Sequence, residues 1–124
     1  MTAGEWYLVI IPIVIGLGML GFWGFSIAGR QVPEIAEGGI EIRFHIVAEA
    51  LTGLVLIAGG VAVFVDATAP WAVALSAIGL GMLMYTLIVS PGYYVERRNT
   101  PFVVMFAGIW LLAVPAVVLR FIVL

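Results

Sequence analysis

The chain has one histidine, His45, and it stands four residues before a carboxylate, Glu49, well inside a long apolar run. At about 100° per residue, Glu41, His45, Glu49 and Thr52 fall within roughly an 80° arc of one helix face. Ala48, Gly59 and Asp66 extend that stripe. An imidazole and a carboxylate at this spacing form a proton-sharing pair or two ligands of a metal ion. Glu49 lies about 10 Å along the helix from Ile42, deep for a short side chain to reach bulk water. An acidic residue at the centre of a membrane helix costs about 3 kcal/mol, less toward the ends. That cost is met by a partner, a water-filled cavity or a proton. A carboxyl group so placed can exchange a proton for a cation. The plainer alternative is an interhelical hydrogen bond, or a pairing with His45 or an arginine.

Other chemistry is narrower. Arg43, Arg97 and Arg98 are charged-loop residues that can contact an anion, and Arg43 can instead anchor its helix at the headgroups or pair with Glu41 or Glu96. A closed zinc site needs about four ligands, and the chain has no second histidine and no cysteine. One histidine gives bis-histidine haem ligation only with a second copy. No metal and no cofactor is therefore expected. No lysine is present for Schiff-base chemistry, and no Ser–His register, phosphate loop or Asp near His45 suggests an enzyme. A net charge of −2 without a basic cluster excludes a nucleic-acid surface.

The elements that must position Glu49 follow from composition. The chain is 65% hydrophobic and only 10% charged over 124 residues, against about 45–50% and 25% in soluble domains. Four apolar runs, about 6–28, 41–65, 71–89 and 102–124, are each long enough to cross about 30 Å of hydrocarbon. The reading is all-α: a single transmembrane domain, residues 1–124, folded as an up-down four-helix bundle in the lipid bilayer. The N-terminus lacks the basic region and cleavage site of a signal peptide, so the first run is expected to stay as a helix. Gly18, Gly21, Gly24 and Ala28 offer a flank where another backbone can approach. Pro12 and Pro115 are expected to kink their helices, and Pro33–Glu37 to form an interfacial turn. Thr68 reads as a helix N-cap, Ser90-Pro91-Gly92 as a helix stop, and Arg120 as a snorkelling end residue.

Arg30, Arg97 and Arg98 lie in the first and third breaks, with Arg43 close by. The positive-inside rule then puts loops 29–40 and 90–101 in the cytoplasm and both termini outside, in the plasma membrane of a prokaryote. Ile15-Gly-Leu-Gly-Met-Leu20 recurs as Ile78-Gly-Leu-Gly-Met-Leu83, which suggests a duplicated helical hairpin. If so, the polar stripe was not copied, because Gly108 and Leu112 stand at the positions equivalent to His45 and Glu49.

Ala48-Glu49-Ala50-Leu51-Thr52-Gly53 is similar to the Ala-Glu-x-x-Gly-Thr context of the membrane glutamate in small multidrug-resistance transporters. It departs from that family in standing on the second helix rather than the first, in its Thr-Gly order, and in its one-sided arginines. The similarity covers a handful of residues, and no function is carried over from it.

The functional expectation rests on the stripe. It is a small transporter or permeation protein, with Glu49 and His45, assisted by Thr52 and Glu41, binding a proton or small cation. A thin bundle has little interior, so a homo-oligomer is expected. The alternatives are a non-catalytic subunit or assembly factor of a larger membrane complex, or a haem or metal carrier.

Overall fold

The computed structural model describes the backbone of residues 1–28, 40–96 and 100–123. Residues 29–39, including the turn expected at Pro33–Glu37, and residues 97–99, including Arg97 and Arg98, lie outside the described residues. So do the side chains of residues 26–42, 90–96, 102 and 123. Four helices follow one another: α1 (Ala3–Ala28), α2 (Ile40–Val65), α3 (Pro70–Glu96) and α4 (Thr100–Val118). A π-helical turn, Leu119–Val123, extends α4. Among the described residues there is no strand. All four helices are long and apolar enough to cross a membrane. They carry apolar side chains on every face, as lipid-surrounded helices do. Phe25, Phe44, Leu111 and Ile122 stand on the outside, while Leu8, Leu56, Val63, Leu80 and Leu83 fill the interior.

Thr2 and Glu5 start α1 with a reciprocal capping box. The Glu5 amide donates to Thr2 Oγ1 at 3.1 Å, and the Thr2 amide to Glu5 Oε1 at 2.9 Å. This Thr-x-x-Glu signal is plain in the sequence. The turn between α2 and α3 differs from expectation. Pro70 is the first helical residue and Ala69 stands in the cap position, its carbonyl accepting from the Val73 amide at 3.0 Å. Thr68 lies one residue too early to cap, and its hydroxyl lies 3.4 Å from Asp66 Oδ1 as a weak donor.

Ser90-Pro91-Gly92 does not stop α3, which runs on to Glu96, so residues 90–96 belong to the helix and not to the loop expected at 90–101. Proline at 91 deprives only the Leu87 carbonyl of its helical donor. The Trp110 indole N–H of α4 donates to that carbonyl at 3.2 Å. A tertiary donor thus replaces the missing amide, as lipid requires. Helices α1 and α4 also continue through Pro12 and Pro115. One residue beyond the carbonyl that Pro115 frees, the Leu112 carbonyl accepts the Tyr7 hydroxyl at 2.7 Å.

Close approach of backbones occurs at particular glycines. A Cβ on Gly16 would lie 2.5 Å from the Gly53 carbonyl oxygen, and one on Gly60 2.8 Å from that of Val9. These contacts lock α1 to α2. On the other side of α2, a Cβ on Gly59 would lie 3.0 Å from Ser76 Cα, and one on Gly79 3.2 Å from the Val55 oxygen. The first glycines of the two matching hexapeptides, Gly16 and Gly79, therefore flank the same helix. Gly18, Gly21 and Gly24 have nothing within 4 Å of an added Cβ, so the flank expected to receive another backbone is not packed within the chain. Arg120 does not snorkel. It is only 6% exposed, because the π-helical turn carries it to the bundle side.

Candidate functional site

The Gly16–Gly53 crossing determines what Glu49 meets. It brings the second half of α1 against the first half of α2. Helical side chains lean toward their own N-terminus, so Trp23 leans back toward the crossing while Glu49 leans out to meet it. The Trp23 indole Nε1–H donates to Glu49 Oε2. The other oxygen, Oε1, lies 3.4 Å from His45 Nε2 on the same helix. The Trp23 and His45 rings meet edge to face at 6.1 Å, and Phe22 packs against Trp23 at 5.3 Å. Glu49 is buried and the His45 side chain beside it is 23% exposed. Charge-assisted hydrogen bonds of this kind are roughly twice as strong as neutral ones. The carboxyl group is met from two helices, by the Trp23 donor of α1 and by His45 of α2 at ion-pair distance, and these contacts offset its burial cost.

Beside this group lies a cavity of about 240 Å³ between α1 and α4. Glu49 and Trp23 contribute to its wall along with Gly18, Phe22, Met105, Phe106 and Ile109. The Tyr7–Leu112 hydrogen bond ties α1 to α4 at the far end, where Leu112 also borders the cavity. The two helices are therefore joined beside the cavity by a hydrogen bond near the start of α1. Glu49 is the charged residue in this apolar chamber.

The sequence-predicted residues divide. His45 and Glu49 come together. Thr52, though on the same arc, faces α3. Its hydroxyl donates to the Ala48 carbonyl at 2.8 Å, and it lines a separate groove with Gly81, Met82, Tyr85 and Thr86. The Thr86 hydroxyl likewise donates within its own helix, to Met82 O at 3.0 Å. Both threonines thus spend their protons locally. Glu41 belongs to the first turn of α2, with its side chain outside the described residues. Arg43 is exposed two residues before His45. Trp23 is a partner that the sequence alone did not single out. The available signal was chemical: an embedded carboxylate needs N–H donors, and few side chains within the spans can provide one.

The chain belongs to the family described as Domain of unknown function (DUF8058), whose model matches residues 4–123 and so takes in all four helices. No curated protein and no solved structure matches it.

Proposed function

We propose that this small membrane protein is a transporter or permeation protein in which Glu49 binds a proton or small cation. The observation that carries the reading is the Trp23–Glu49–His45 group at the wall of an otherwise apolar cavity. A carboxylate kept only for packing would be expected to have every side closed by protein. This one borders open space, and a half-buried imidazole stands beside it as a proton relay. In the cycle we envisage, His45 passes protons between Glu49 and the aqueous phase. Glu49 takes either a proton or a cation, and Trp23 holds the carboxylate in place while the occupant changes. With the α1–α2 and α3–α4 connections cytoplasmic, the His45 end of the bundle faces the cytoplasm. A homo-oligomer is the form we expect in the membrane, with the open Gly18–Gly24 flank available to a second copy.

Proteoliposomes containing the purified chain test this. An imposed pH gradient should drive proton flux in the native protein, and Glu49→Gln should abolish it. Equal flux from both would remove the proposal. A stoichiometric foreign partner retained in mild detergent would favour the alternative of a subunit within a larger complex.

A further inference from the structure

We infer that Arg120 and Ser76 bind a chloride ion at the end of the bundle where α1 and α3 begin. This is the opposite end from His45, and the inference stands apart from the transport reading.

Both side chains are buried with polar groups that have no partner. Arg120 is 6% exposed, and its Nε and Nη1 donate to nothing. Ser76 is 4% exposed, and its Oγ is likewise unpartnered. Buried polar groups are nearly always hydrogen-bonded, and an exception points to an ion or water that belongs there. Ser76 also differs from the buried threonines. Thr52 and Thr86 donate to the carbonyls four residues back in their own helices. The Ser76 proton is not used in that way.

The two side chains lie at one depth. Trp110 of α4 reaches the Leu87 carbonyl of α3. Ten residues onward from Trp110 and eleven back from Leu87 along the antiparallel helix are each about 15–17 Å, which brings Arg120 and Ser76 level. The π-helical turn Leu119–Val123 packs against α1 and α3 and carries Arg120 to the bundle side.

What these groups lack is an acceptor with negative charge. Water would accept hydrogen bonds but leave the guanidinium charge uncompensated in a low-dielectric interior, where a lone charge is costly. Glu5 of α1 is the carboxylate within electrostatic reach. Its Oε1 accepts the Thr2 amide in the α1 cap, and it does not pair with Arg120 Nε or Nη1. A cation is repelled by Arg120 itself. Sulfate or phosphate needs more room than these enclosed nitrogens leave. Chloride is monovalent, spherical and an acceptor only, so it takes N–H and O–H donors from several directions without a fixed geometry. Helices α1 and α3 both begin at this end, and their amino-terminal dipoles favour negative charge there.

The test titrates the purified full-length chain, in nanodiscs of zwitterionic lipid, with chloride against gluconate at constant ionic strength. Binding is read directly from the excess chlorine-35 NMR linewidth. It is read again from the thermal midpoint, because a ligand that binds only the folded chain stabilises it. The native chain should show saturable line broadening that bromide competes away, and its midpoint should rise with chloride. Sulfate should do neither. Arg120→Met should weaken chloride binding at least about tenfold. In gluconate alone this variant should melt no lower than the native chain, which separates loss of the site from loss of the fold. Ser76→Ala removes one hydrogen bond to a charged group and should weaken binding by about tenfold. Chloride binding that survives either substitution, or sulfate acting as well as chloride, would overturn the inference. A midpoint that follows added phosphatidylglycerol instead of chloride would give Arg120 to lipid phosphate and overturn it too.

Discussion

Gly16→Ala is the most informative single change, because it strains the crossing that presents Trp23 to Glu49. The added Cβ would lie 2.5 Å from the Gly53 carbonyl oxygen, 2.8 Å from Ile57 Cγ1 and 3.3 Å from Leu56 Cβ. Carbon and oxygen in contact normally stand about 3.3 Å apart. The nearest obstacle is backbone and cannot rotate aside, so α1 and α2 must part by roughly 0.8 Å. A gap of that size forfeits about a quarter to a half of each dispersion contact along the seam. Overpacking of this kind costs about 1–3 kcal/mol. Alanine returns up to about 1 kcal/mol as a better helix former than glycine. Gly18→Ala is the matched control, since it has the same propensity gain and nothing within 4 Å of the new methyl. The propensity terms cancel between the two variants, so their difference isolates the crossing. We expect Gly16→Ala to be less stable than Gly18→Ala by about 1–3 kcal/mol. Reversible unfolding in bicelles measures this. Equal stability of the two variants would refute the packing argument and the helix rotation that places Trp23 beside Glu49.

Three further outcomes follow from the same geometry. Trp23→Phe keeps an aromatic ring but removes the indole donor to Glu49. It should cost about 1.5–3 kcal/mol in the native background and much less in Glu49→Gln, a coupling that a double-mutant cycle reads directly. Trp110→Phe leaves the Leu87 carbonyl without a donor because residue 91 is proline. It should destabilise the chain by about 1–3 kcal/mol, and Pro91→Ala in the same chain should restore most of the loss, as unfolding midpoints would show. Arg120 is buried, and its Nε and Nη1 have no hydrogen-bond partner, so Arg120→Met should be neutral or raise the thermal midpoint.

Much of this molecule was legible in its sequence, and the exceptions share a cause. The four spans follow from hydropathy and length, and Glu49 stands out because a charge in oil is rare. What the sequence could not supply was helix rotation. Gly16, Gly18, Gly21 and Gly24 look alike as letters, yet only Gly16 meets another backbone. That choice decides that Trp23 reaches Glu49 and that Gly18 borders a cavity. Thr52 shows the limit of a shared arc. Roughly 60° of rotation separates it from Glu49, enough to place the two against different neighbours. Pro91 was read as a stop because that rule describes helices whose broken ends meet water. In lipid a freed carbonyl can take its donor from another helix, and for Leu87 that donor is Trp110, nineteen residues beyond Pro91. The Thr2–Glu5 capping box needed no tertiary knowledge at all.

The central claim is that Glu49 gains and loses a proton from within the bundle, with His45 and Trp23 as its partners. Infrared difference spectroscopy of the protein in lipid, titrated across the accessible pH range with glutamate isotopically labelled, observes that carboxyl group itself. The account predicts a protonated-carboxyl band that changes with pH, disappears in Glu49→Gln and shifts in Trp23→Phe. A spectrum in which no pH-dependent band is lost in Glu49→Gln would contradict it.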